Sequence, residues 1–184
     1  MGNPLRDRRT PSELAESGQV IEIEEKITNF ERLAGIVEAD LLTLDPDKLP
    51  SDWRDTVVAG RLGFSFNDTH NSVPALHGEV EVTIDAVCQR CLEPFRLPLA
   101  AELRLLLVEK NSAAVKVDGY ENWELAEDEL RPLDIVEEAL IMAMPFAAMH
   151  ADDELCNEPE EVIDAPGGKV QPFATLRSQM DDEN

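Results

Sequence analysis

Three stretches in the middle of the chain alternate apolar and polar residues with a period of two. Val58, Leu62, Phe64 and Phe66 share one side of the first, with Arg61 and Ser65 on the other. Val80, Val82, Ile84 and Ala86 alternate with Glu79, Glu81, Thr83 and Asp85 in the second. In the third, Phe95, Leu97, Leu99, Ala101, Leu103, Leu105 and Leu107 oppose Arg96, Glu102 and Arg104. Such runs, joined by short polar segments, predict an antiparallel meander with one wet face. Pro98 has no amide proton to give a ladder, so it predicts an edge position or a bulge. Val20–Glu24 predicts a further short strand. Phe30, Leu33, Ala34, Val37 and Leu41 recur at helical spacing and predict an amphipathic helix over 29–41, with Thr28 and Glu31 as its capping box. Leu133, Val136, Leu140 and Ala143, with Ile135 and Ala139, predict a second helix that begins near Pro132 and stops before Pro145. The expected fold is α+β, an antiparallel β-meander packed on one side by two helices.

Around this unit the polar segment 1–19, with Pro4, Pro11 and Gly18, predicts a flexible arm, and 178–184 an acidic tail. Residues 20–177 are then a single domain, in which 111–131 is too polar to add much core. The chain has 184 residues, 43% of them apolar and only 5% aromatic, so the core must be mostly aliphatic. No apolar run approaches the roughly 18–20 residues of a membrane span. The basic N-terminus has no apolar stretch behind it, so a cytoplasmic location is expected.

Charge changes the picture more than composition does. The formal net charge is −23, and it is unevenly spread. From Arg54 to Lys110 the net is −2, whereas from Asp118 to Glu161 fifteen acidic residues and one basic give −14. A phosphate backbone would be repelled by such a chain unless its cations gather on one face. A basic protein, such as a ribosomal or assembly protein, is the partner that suits the acidic half. Glu137, Glu138, Asp152 and Asp153 are its candidate contacts, with a merely solvated helix face as the plain alternative.

Cys88-Gln-Arg-Cys91 falls between two expected strands. Two thiolates at this spacing can grip one tetrahedral zinc ion. A redox Cys-x-x-Cys normally opens a helix, and none is expected after Cys91. His150 and Cys156 could complete a Cys-Cys-His-Cys set, and two small buried residues in a turn are the alternative. Arg90, Arg96 and Arg104 are candidates for an RNA-phosphate patch in a zinc-knuckle module, against ordinary surface charge paired with neighbours. No phosphate loop, nucleophile elbow or His-Glu-x-x-His motif occurs, so neither catalysis nor a small-molecule substrate is expected.

Gly78 to Phe95, which runs through Cys-Gln-Arg-Cys-Leu-Glu-Pro-Phe, resembles the signature of the YceD family. Pro132–Pro145 is similar to that family's helix, and Pro172-Phe-Ala-Thr-Leu176 to its end. The resemblance implies a non-enzymatic role in the synthesis, processing or stability of 23S ribosomal RNA, with no catalytic residues to carry over. Many family members have several cysteines after the helix, where this chain has only His150 and Cys156. The resemblance thus implies a metal site either reduced to four ligands or lost.

Overall fold

A computed structural model describes residues 3–67, 73–110, 116–151 and 156. Its centre is a five-stranded sheet with strands in chain order: β1 (Val20–Lys26), β2 (Val57–Phe66), β3 (Pro74–Val87), β4 (Pro94–Glu109) and β5 (Glu121–Leu125). The first four strands form the expected antiparallel meander, with Leu62 beside Gly78, Val82 beside Leu99 and Ile84 beside Leu97. The period-two faces emerge as read over most of their length, except that Ala75, Leu106 and Val108 bury a second, small apolar cluster on the face expected to be wet. Val58, Leu62, Phe64, Val80, Val82, Ile84, Leu99, Leu103, Leu105 and Leu107 are buried in one core. That core is aliphatic in the main, with Phe30, Phe64 and Trp53 as its aromatic members.

Three α-helices among the described residues accompany the sheet: α1 (Pro11–Glu16), α2 (Glu31–Leu41) and α3 (Pro132–Ala143). Leu33, Val37 and Leu41 of α2 and Leu133, Val136 and Leu140 of α3 turn their apolar stripes onto the sheet. The expected capping box at Thr28 does not form, because Thr28 lies inside a 3-10 turn, Ile27–Asn29, and Phe30 takes the cap position. The capping box sits instead at Thr10 and Glu13, at the start of α1. The segment 1–19, polar enough to read as an arm, gives the core two anchors, Leu5 and Leu14, each 1% exposed. Leu133 and Leu130 donate their amides to the carbonyls of Leu5 and Arg9, tying this segment to the approach to α3.

The 111–131 stretch departs from expectation. Residues 121–125 add β5, which pairs parallel with Leu105–Glu109 of β4 and brings Leu125 and Trp123 to the core. A five-residue strand with two carboxylates carries too little period-two signal to be seen alone. Because β5 reaches only to Leu105, β4 is an edge from Pro94 to Arg104 among the described residues. The Cys88 amide donates to the Glu93 carbonyl, which sets the phase of the β3–β4 ladder. Antiparallel pairs alternate, so even-numbered β4 residues aim their backbone away from β3. Pro94 and Pro98 are both even, and each removes a donor from the open edge. The edge reading of Pro98 therefore holds, and two prolines blunt that edge against strand addition.

Candidate metal centre

The β3–β4 hairpin ends in the Cys88–Cys91 turn. Asp40, near the end of α2, accepts the Val87 amide at 2.8 Å and so fixes the end of β3. Leu92 donates its amide to the Cys88 carbonyl at 2.9 Å and stands at φ 59°, the left-handed conformation that lets the chain reverse within a turn and enter β4. No helix follows Cys91, so the turn has the setting of a metal knuckle rather than of a helix-capped redox pair.

The segment after α3 runs back to this tip. Gln89 donates its amide to the Ala148 carbonyl at 2.8 Å, and the Phe95 and His150 rings lie with centroids 4.7 Å apart. These contacts bring His150, and with it Cys156, to the two knuckle cysteines. The potential ligand atoms of Cys88, Cys91, His150 and Cys156 all lie within 4.8 Å of one another. Cys88 Sγ is 3.8 Å from Cys156 Sγ. His150 Nδ1 is 3.6 Å from Cys91 Sγ and 3.4 Å from Cys156 Sγ.

These separations test the fit to an ion. Tetrahedral coordination with metal–sulfur bonds of about 2.3 Å and metal–nitrogen bonds of about 2.05 Å gives edges of about 3.8 Å between sulfurs and about 3.5 Å between sulfur and nitrogen. The Cys88–Cys156, Cys91–His150 and Cys156–His150 separations match those edges, and all three cysteines are free thiols rather than bridged. Three sulfurs and one imidazole nitrogen are compatible with metal binding.

The electrostatics of the cluster are uneven. Burial pushes the Cys88 thiol up, but hydrogen bonds from the backbone at Cys91, His150 and Arg90 and from the Cys91 side chain outweigh it, and its pKa falls to about 5. Burial, hydrogen bonds with Cys88 and Cys91, and the charge of both raise Cys156 to about 11. Without a cation, these influences favour the anion at Cys88 and the neutral thiol at Cys156, because like charges on neighbouring sulfurs repel. A divalent ion among them would relieve that repulsion.

The other candidate residues do not converge on one surface. Arg96 pairs with Asp85 at 3.1 Å and donates to the Thr83 carbonyl at 3.0 Å. Arg104 is held by Glu102 at 2.6 Å. Eight residues of strand, about 26 Å, separate these two arginines. Arg90 is at the tip, its Nη2 3.9 Å from the Met149 sulfur. The three are therefore spread along the hairpin rather than gathered in a patch. Glu138 pairs with Arg32 at 2.7 Å, while Glu137 is only 4% exposed and is not a surface contact. Its carboxylate accepts the amides of Arg32 at 2.7 Å and Leu33 at 3.2 Å. These are the amides that a cap side chain normally serves, so α2 is capped from α3. Asp152 and Asp153 lie outside the described residues, as does the 172–177 segment.

Comparison with known proteins gives the chain a context. The family model described as large ribosomal RNA subunit accumulation protein YceD matches residues 76–178, from near the start of β3 past the four candidate ligands. A protein of Haemophilus influenzae that bears that same name is 29% identical over 119 residues, which cover 61% of this chain and 68% of the relative. No solved structure matches.

Proposed function

The chain belongs to the YceD family, and from that premise we propose that it is a cytoplasmic, non-catalytic factor for the accumulation of large-subunit ribosomal RNA, built around a zinc-held hairpin tip. The observation that supports the zinc is the agreement of the Cys88, Cys91, His150 and Cys156 separations with a tetrahedral site. Thiolate-rich, four-ligand sets of this kind are typical of structural zinc. With all four positions taken by protein there is no open one for substrate, so the ion would supply folding energy and charge neutralisation rather than chemistry.

The Cys88–Phe95 tip, with the 145–150 segment bound across it, presents the specific contact, and the acidic second half receives a basic assembly or ribosomal protein. A partner of that charge is favoured over direct RNA contact because Arg96 and Arg104 are engaged by carboxylates on their own sheet. Cells lacking the protein should show a lowered ratio of 23S to 16S ribosomal RNA. The wild-type gene should restore it, and a Cys88→Ser/Cys91→Ser gene expressed at equal level should not. An unchanged ratio in the deletion would remove the ribosomal role. Full rescue by the double serine variant would separate that role from the metal. Capture from lysate that survives nuclease, and weakens when Glu138 is reversed, would support the basic protein partner.

A further inference from the structure

A groove of about 720 Å³ opens between the last turns of α3 and the β4–β5 pair. Leu103, Leu105, Trp123 and Ala139 line it, with Met142 and Ala143 on the helix side. The first four belong to or pack against the main core, so the groove is a place where that core reaches the surface. Met142 is 72% exposed there. It also lies where β4 loses its neighbour, since β5 begins opposite Leu105. An apolar recess beside an open strand edge is a costly feature for a chain to leave bare.

The sequence beyond Cys156 holds a segment suited to fill it. That stretch is acidic apart from Lys169 and Arg177, the only two cations after Arg131, and between them stands Val-Gln-Pro-Phe-Ala-Thr-Leu. A basic-flanked apolar island in an acidic tail matches an apolar groove whose charged lining is Glu121 beside the Glu102–Arg104 ion pair, which leaves the carboxylate of Glu121 to meet an incoming cation. The family match also runs to residue 178, which takes in this island and leaves out the acidic end. Reach is ample. Cys156 is at the hairpin tip, and the groove begins about eight strand residues from it, about 26 Å. The 15 residues from 157 to 171 span up to about 50 Å when extended. Such a tether holds the island near the groove at an effective concentration in the millimolar range.

We propose that the chain's own 170–177 segment docks in the groove between α3 and β4–β5, with Phe173 and Leu176 as its apolar anchors and Arg177 toward Glu121. This interaction is independent of the ribosomal role and of the identity of the metal. It is tested by hydrogen exchange on the full chain, on Phe173→Asp/Leu176→Asp and on a chain ending at Gln171. The Trp123 indole and the Arg104 amide, which faces the open edge of β4, should exchange about tenfold faster in both variants. A synthetic 168–178 peptide should restore protection to the shortened chain, which also shows that the chain still folds. Equal exchange in all three chains would overturn the proposal. So would protection that grows with protein concentration, the sign of a second copy in the groove. A groove that is unprotected in the purified full chain and covered only in cell extract would overturn it in favour of a foreign partner.

Discussion

A carboxylate buried at a helix–helix contact survives only if its oxygens are hydrogen-bonded, and Glu137 meets that condition by taking the first free amides of α2. Among the described residues, no buried side-chain nitrogen or oxygen is left without a partner. Glu137→Ala would strand two amides that now bond a charged acceptor, and should cost about 3 kcal/mol of unfolding free energy in urea titration. Glu137→Gln keeps an acceptor oxygen and should cost about half as much. The helical period placed Glu137 correctly on α3 but said nothing of what faced it, since its partners are more than 100 residues away in sequence. Asp85 is the opposite case. Burial raises its pKa, Arg96 opposes this, and Asp52 adds to it. The native state therefore holds a proton on Asp85 more readily than the unfolded chain does. The resulting stabilisation is present below the ordinary value of 3.8 and fades as pH rises through the raised native value. Asp85→Asn has no such term, so its stability relative to wild type should improve from acid toward neutral pH, as thermal unfolding across that range would show. A pH-independent difference would contradict the assignment.

The elements were legible wherever one face is buried and the other wet. β2, β3 and β4 show this pattern over ten or more residues each, and α2 and α3 show it at helical period. What escaped was short or held from outside: β5 with five residues, and α1 with six, whose Leu14 anchor stands in a polar stretch. The four candidate ligands were each visible as residue types, but their convergence depends on the Gln89–Ala148 hydrogen bond and the Phe95–His150 contact. No spacing rule encodes either. The hairpin tip also carries a testable strain. Leu92 is 65% exposed yet stands at φ 59°, a conformation that costs a side chain with a Cβ about 1 kcal/mol. Leu92→Gly should therefore raise stability by about 1 kcal/mol, less the extra entropy of glycine in the unfolded chain. Urea titration checks the sign. A clear loss of stability would mean that the Leu92 side chain is packed rather than exposed.

At the scale of the whole molecule, two ends of a long hairpin are served by different devices. Near β5 an extensive aliphatic core does the holding, and at the tip the layers thin until Cys88 is the last fully buried residue of β3 and its turn. Cys88, Cys91, His150 and Cys156 come together there, a set compatible with a metal ion that would join the tip to the segment following α3. No helix among the described residues is long and apolar enough to cross a membrane. The uneven charge follows the same division, with the near-neutral hairpin set against an acidic second half. The most direct test of this account is native mass spectrometry of the purified full chain beside Cys156→Ser. One zinc ion per wild-type chain is expected, with zinc lost in the variant and the remaining fold intact by circular dichroism. A wild-type chain that stays metal-free when purified without chelator and incubated with equimolar zinc would contradict it.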